Sequence, residues 1–263
     1  MTLPRLQLVE LNDQPWVPAA VRDTVVESLS RTHAWGHMLR GLVGPFEAFL
    51  QGTGASEVLD IGAGAGGPAA ILVDEIRAAG RTPPRFLLTD LHPREAVWAE
   101  LAKTRAGALD FVASSVDATH IPGDLSRGRA RSIINVLHHF PPELARAVLE
   151  DAVRGGVGVF VAEGFERNPL GFAAFAPSGL PALAMNPVLS PHHRLFKAWL
   201  TWATPLALGI SLWDGVVSTL RVYTEAELRA MVAPFGDGFT WVYGTFPYPA
   251  FGGGYYFYGV PRR

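Results

Sequence analysis

The chain has 263 residues, a formal net charge of −2, no cysteine and 49% apolar residues. That length buries a sizeable core, and doubly wound α/β domains of this size are common. The charge balance, with no run of Lys and Arg, speaks against a nucleic-acid partner, and the lack of thiols excludes disulfides, thiolate chemistry and cysteine-ligated zinc. A cysteine-free chain suits a reducing compartment, and residues 1–10 carry no basic-plus-apolar signal region, so a cytoplasmic location is the expectation.

Residues 1–55 read as an N-terminal helical cap. Between residues 16 and 50 apolar side chains recur at helical spacing, among them Val17, Val21, Val25, Leu29, Leu39, Leu42, Val43 and Phe46. Pro18 sits near a helix start, and Gly36, Gly41 and Gly44 read as interruptions. His33 and His37, four apart, fall on one side of such a helix, where an exposed or core-satisfied pair is the plainer reading.

The most informative stretch follows, VLDIGAGAGG at residues 58–67. Residues 57–61 read as a buried strand, and Pro68 opens a helix at a position where a missing N–H matters little. Gly62, Gly64 and Gly66 permit a sharp turn and let a ligand approach where a Cβ would collide. Gly62, Gly64 and Gly67 also satisfy the GxGxxG spacing of dinucleotide-binding folds, so the glycines alone leave two nucleotide cofactors open. Asp60 tips the balance, because a carboxylate at the strand tip sits badly beside a pyrophosphate and well beside the ammonium of a methionine moiety. In this the segment resembles motif I of the class I S-adenosylmethionine (SAM)-dependent methyltransferases.

The resemblance continues in order. RFLLTD, residues 85–90, reads as a second strand ending in an acid, and the resemblance gives Asp90 the ribose hydroxyls, with Leu91 beside it. FVASSVDA, residues 111–118, is similar to the segment whose acid, here Asp117 with Ala118 after it, contacts the adenine amino group; the exit THIP follows. RSIINVLHHF, residues 131–140, resembles the fourth strand and the loop bordering cofactor and substrate, which brings in Asn135. The resemblance therefore implies SAM as cofactor, held by Asp60, Gly62, Ala63, Gly64, Gly66, Asp90, Leu91, Asp117, Ala118 and Asn135.

Residues 157–163 give a fifth strand, 165–220 an insertion, and Thr224 with Glu227 the spacing of a helix N-cap. Residues 239–246 and 253–260 read as closing strands. The expected fold is α/β: a Rossmann-like, doubly wound, mainly parallel sheet with a terminal antiparallel strand, an N-terminal helical cap and an apolar insertion after strand five, residues 56–263 forming the SAM-binding domain.

The insertion has no Asp, Glu, Lys or Arg over residues 168–191, nor over 198–213. Prolines interrupt the first stretch, and the 16 residues of the second fall short of the ~20 that cross a hydrocarbon core. Three readings stand: a lid over an apolar acceptor, which its place after a sheet strand favours, a surface-seeking segment that touches membrane, or a protein interface. Asp214-Gly215 reads as a turn before a β-branched pair. Of seven tryptophans, Trp16, Trp35, Trp199, Trp202 and Trp213 fall in the cap and insertion. The first four are candidates to face a flat or hydrophobic acceptor, against the plainer reading that they pack cap on lid.

Methyl transfer from a sulfonium is an in-line displacement that asks the protein mainly for alignment in a dry pocket. A hydroxyl acceptor also gains from a base active near neutral pH. His139 is the first candidate, Glu163 the second, and His138 a substrate-side neighbour. A metal at the two histidines is not expected, since adjacent histidines point apart in most backbones and no third ligand is evident.

The function expected from the sequence is SAM-dependent methyl transfer to a small, hydrophobic acceptor through an O, N or C nucleophile, with a specialised metabolite suggested by analogy alone. An NAD(P)-dependent oxidoreductase is the alternative within enzymes. The other is a non-catalytic SAM-binding protein whose apolar segment binds a membrane or a partner.

Overall fold

The computed structural model describes residues 3–190, 192–249 and 252–262. Seven strands form one sheet: β1 (Glu57–Ile61), β2 (Arg85–Thr89), β3 (Leu109–Phe111), β4 (Ala130–Ile134), β5 (Val159–Glu163), β6 (Phe239–Pro247) and β7 (Gly253–Pro261), in the order β3-β2-β1-β4-β5-β7-β6. The first five are mutually parallel, and β7 runs antiparallel between β5 and β6. The helices are α1 (Ala19–Trp35), α2 (Val43–Thr53), α3 (Gly67–Ala78), α4 (Glu95–Thr104), the short α5 (Gly123–Ser126), α6 (Pro142–Gly155), α7 (Pro169–Phe175), α8 (Leu180–Leu189), α9 (Arg194–Ala198), α10 (Leu206–Arg221) and α11 (Glu225–Val232).

β4 and β5 are buried at every residue, as parallel strands covered on both faces require. One face carries Phe46 and Phe49 of α2 and Leu72 and Val73 of α3 against Phe86 and Phe160. The other carries Val148 and Leu149 of α6 and Leu228 of α11 against Leu59, Ile133 and Val161. α2, expected in the cap, is thus a sheet-covering helix: its Phe46 stacks on Phe86 at 5.7 Å and meets Phe160 edge-on at 5.0 Å. Gly44 lies inside α2 rather than interrupting it, whereas Gly36 does end α1.

The insertion folds as α7 to α10, with a 3-10 turn at Ala176–Gly179 and a π turn at Trp199–Ala203. It packs on α1 through a small core of Val17, Val21, Leu183, Leu200 and Ala207. Asn186, buried in α8, accepts from Arg31 and donates to the Thr24 carbonyl at 3.3 Å. The expected turn at Asp214-Gly215 is instead the middle of α10. Gly215 is there because α7 crosses closely: a Cβ on it would lie 2.1 Å from the Phe172 ring. The N-cap at Thr224 is a full capping box with Glu227.

β3 departs from its expected span, ending at Phe111 where the expected segment begins. Beyond it the chain leaves the sheet, and the Asp117 carboxylate closes a local turn on Thr119.

Candidate cofactor and acceptor site

The C-terminal ends of β1, β2 and β4 open on a cavity of about 600 Å³, walled on the far side by α1, the insertion helices and the extended segment before α1. Parallel pairing brings these strand ends to one edge, with Asp60 level with Leu88 on one side and Ser132 on the other. This is where open α/β sheets bind ligands.

Gly62, Ala63 and Gly64 line the cavity. Gly62 and Gly64 have φ of 67° and 53°, a region that side chains disfavour. A Cβ on Gly62 would lie 2.6 Å from Val136, whereas one on Gly64 would meet nothing within 4 Å. Trp98 pins the turn by donating to the Gly64 carbonyl at 3.0 Å. Gly66 does not line the cavity; it caps α3, and a Cβ there would meet Leu101 at 2.9 Å, so its role is packing.

Asp60 is buried and accepts from Ser132 Oγ at 2.5 Å. Burial pushes its carboxyl up to about 7; the Ser132 hydrogen bond opposes the rise and the charge of Asp90 adds to it. Asp90 accepts from the Gly64 N–H and the His92 N–H, each at 2.8 Å, and lines the cavity together with Leu91. Asn135 has φ of 58° and accepts from the Gly164 N–H at 2.7 Å through Oδ1. Its buried Nδ2 has no partner among the described residues, a donor presented at the cavity wall.

Asp117 and Ala118 are not among the cavity walls. Asp117 is exposed, and its Oδ1 accepts from the N–H and hydroxyl of Thr119 at 2.8 and 2.7 Å, two bonds that hold the carboxyl below its usual range. The tryptophans also stand apart. Trp16, Trp35, Trp199 and Trp202 are each at least half exposed, and none lines the cavity. The helical phase turns Leu183, Leu208 and Leu212 inward instead, while Trp202 Nε1 donates to the Ala184 carbonyl at 2.9 Å.

Two histidines, His138 and His139, line the same cavity. A tight turn at Leu137–His139 follows β4. His138 Nδ1 lies 2.7 Å from Glu163 Oε2, and the His138 N–H donates to Glu163 Oε1 at 3.1 Å. A buried carboxylate accepting at both oxygens places the imidazole proton on Nδ1 and leaves Nε2 as the free base nitrogen. Glu163 itself is behind the wall, not on it. His139 Nδ1 lies 3.1 Å from Asp13. Burial would lower its pKa, but the bond to Asp13 and the charges of Glu10, Asp13 and Glu163 raise it overall.

The histidine rings do not point apart: their centroids are 4.2 Å from each other. Glu10 supplies the third group that the sequence left out of view, with one donor atom from each of Glu10, His138 and His139 lying within 4.8 Å of the others. Arg221 Nη1, 3.0 Å from Glu10 and 3.1 Å from Asp13, already provides this cluster with a neutralising cation. Glu10 and Asp13 carry no sequence signal because the segment before α1 has no periodicity, and Arg221, the last residue of α10, meets them only through the fold. Asp214, which accepts from the N–H groups of Leu11 and Asn12 at 2.7 and 3.0 Å, holds that segment in place.

His33 also lines the cavity. It is buried with Nε2 unpartnered among the described residues, and burial drives its pKa down to about 4, so it is neutral. His37, its expected companion, turns away to Glu75 at 2.6 Å.

No protein-family model and no curated protein matches the chain. Solved structures do. The plantazolicin methyltransferase BpumL in complex with SAH has a TM-score of 0.58 over 95% of this chain and 94% of its own, at 12% identity. Magnesium protoporphyrin IX methyltransferase (ChlM) from Synechocystis PCC 6803 with bound SAH has 0.51 over 91% and 94%, at 16% identity. The O-methyltransferase NcsB1 from neocarzinostatin biosynthesis, in complex with SAM and 2-hydroxy-5-methyl naphthoic acid, has 0.54 over 93% of this chain, which spans 59% of NcsB1, at 16% identity. The fold is that of the class I SAM-dependent methyltransferases. In this fold, the glycine turn after β1, the acid after β2 and the histidine turn after β4 all line one cavity.

Proposed function

We propose that the protein is a SAM-dependent methyltransferase whose acceptor is a small, largely apolar molecule with a hydroxyl group. The observation that carries this reading is one continuous cavity that joins the Gly62–Asp90 end to a histidine backed by a buried carboxylate. The residues fit the cofactor. An ammonium beside Asp60 relieves the burial of that carboxylate, Asn135 Nδ2 is a donor awaiting an oxygen, and the open side of Gly64 leaves room for a close ligand. Asp90, now bonded to a backbone N–H, is the acceptor for ribose hydroxyls, as the sequence resemblance implies. Asp117 keeps the adenine assignment through Oδ2, since both bonds from Thr119 go to Oδ1.

SAM, when bound, supplies a methyl group on a sulfonium. The chain's own work is alignment and one proton. His138 Nε2 takes the acceptor's hydroxyl proton, and Glu163 fixes the ring and favours the imidazolium that results. His139, held toward its charged form by Asp13 and Glu10, favours the deprotonated acceptor oxygen beside it. Val25, Leu29, Phe172 and Leu183 give the acceptor end apolar walls that exclude water.

Titration with SAH, SAM and NADH tests the cofactor. Binding of the first two without the third supports the reading; binding of NADH alone overturns it in favour of an oxidoreductase. Methylation of phenolic and alcoholic acceptors by wild type, absent in His138→Ala, tests the base.

A further inference from the structure

Residues 167–213, 47 in all, contain no Asp or Glu, although the whole chain has 24. Their charged groups are Arg167, Arg194 and Lys197, with His192 and His193 beside Arg194. The inward side of this insertion walls the cavity. Its outward side exposes Leu170, Leu195, Phe196, Trp199, Trp202 and Trp213, with Leu195 at 89% of its full exposure. Exposed apolar surface on this scale within one insertion marks an interaction site. Tryptophan favours the boundary between water and acyl chains, where its body is buried and its N–H stays satisfied.

We propose that this outer face docks on an anionic lipid surface, with Leu195, Trp199 and Trp202 at the headgroup–acyl boundary. Arg194, His192 and His193 meet the lipid phosphates. Three observations select this occupant. Arg167 and Lys197 are buried against Glu227 and Glu27, so Arg194 is the exposed charge of residues 167–213 among the described residues, and a cation suits anionic headgroups. A two-fold contact between copies would set Arg194 and its histidines against themselves with no acid to pair them. Arg194 is also fixed at the α8–α9 corner by bonds to the Val188 and Ser190 carbonyls, so the cation stands within the apolar face.

The segment lies on the surface and does not cross it. Pro169–Leu189 has 21 residues at a mean hydropathy of 1.3, sufficient for a span by length and composition. Its course nevertheless breaks at Ala176–Gly179, and Asn186 is buried against α1. Arg194–Ala203 and Leu206–Arg221 meet at 80°, which gives a bent, surface-lying pair rather than a rod. Leu180, Leu208 and Leu212 both line the cavity and remain partly exposed, so the acceptor end opens toward this face. Resting on the proposed function, an apolar acceptor dissolved in the bilayer would enter there.

Co-sedimentation of the full chain with vesicles of phosphatidylcholine plus phosphatidylglycerol, and of phosphatidylcholine alone, tests the docking. Expected are binding to the mixed vesicles that weakens with salt, and quenching of tryptophan fluorescence by brominated acyl chains. Leu195→Glu combined with Trp199→Glu should lower vesicle partitioning at least about tenfold while the melting temperature and SAH titration stay unchanged. Arg194→Glu should weaken binding to the mixed vesicles alone. No binding to either vesicle type overturns the proposal, as does equal binding of the double variant. A dimer in light scattering that Leu195→Glu dissolves, without vesicle binding, replaces the lipid with a second copy. Vesicle binding with no SAH binding keeps the docking and removes the methyltransferase reading.

Discussion

Glu163 holds His138 twice, taking the ring proton at 2.7 Å on one oxygen and the backbone N–H at 3.1 Å on the other. A single buried carboxylate therefore fixes both the turn after β4 and the tautomer of the imidazole. Replacing it with an amide keeps the volume and loses the tautomer, because a Gln N–H directed at Nδ1 forces the proton to Nε2. Glu163→Gln and His138→Ala should each lower kcat by ~10²- to 10⁴-fold with SAH affinity unchanged. Wild-type kcat in either variant removes His138 from the reaction.

Asp60 predicts a pH dependence. Its folded value of about 7 lies above the ordinary 3.8. A carboxyl raised by folding contributes its full stability below the unfolded value, and that contribution is lost as pH climbs toward 7. An ammonium placed beside it favours the ionised form, so binding below pH 7 expels a proton. SAH affinity should rise from about pH 5 to 7 and level off above, and Asp60→Asn should flatten the slope. Calorimetry in buffers of different protonation enthalpy reads the proton directly; affinity independent of pH in wild type would contradict the placement.

The two glycines of the turn should separate stability from binding. Gly62→Ala drives a methyl into Val136 at positive φ and should lower stability by about 1–3 kcal/mol. Gly64→Ala meets no neighbour, costs about 1–2 kcal/mol of backbone strain, and puts its methyl into the cavity. Its main effect should be on SAH affinity. Thermal melts beside titrations check the contrast, and equal losses in both assays for both variants would defeat it.

Arg5 ties the segment before α1 to the histidine turn. Its guanidinium donates to the carbonyls of Arg221, His138 and Phe140 at 2.6, 3.1 and 2.9 Å and lies 4.2 Å over the Tyr223 ring. Arg5→Ala should lower stability by about 1.5–3 kcal/mol and reduce kcat, with SAH affinity retained because the glycine turn is untouched. A drop in SAH affinity larger than the drop in kcat would show that the segment does more than position His138.

His33→Phe should move stability and function in opposite directions. Removing an unpartnered buried nitrogen leaves the melting temperature equal or higher; with Nε2 assigned to bond the acceptor in the cavity, its loss should raise the acceptor KM about five- to tenfold. An unchanged KM would make His33 a packing residue.

The sheet and the glycine turn were legible in the sequence because a buried parallel strand, a glycine turn and a helix opening with Pro68 agree at every level. The place of Asp60, Asp90 and Asn135 on the cavity wall was legible for the same reason, while their hold on SAM is proposed. The tryptophans were misread, since helical phase and not residue type decides which side faces the cavity, and the prolines and turns of the insertion hide that phase. The acid cluster at Glu10 and Asp13 had no local signal at all. It exists through pairing with Arg221, 208 positions beyond Asp13.

That separation has a consequence for how the protein becomes active as it is made. Arg5, Leu11 and Asn12 emerge early, and the groups that anchor them, Asp214 and Arg221, emerge more than 200 residues later. The strand ends proposed to hold SAM lie within residues 57–139 and can assemble on the nascent chain. Closing the histidine turn must wait for α10, and the loop to be closed spans more than 200 residues. A chain stalled or clipped before residue 214 would therefore carry the glycine turn and the histidines but lack Asp214 and Arg221, which secure the first segment over them.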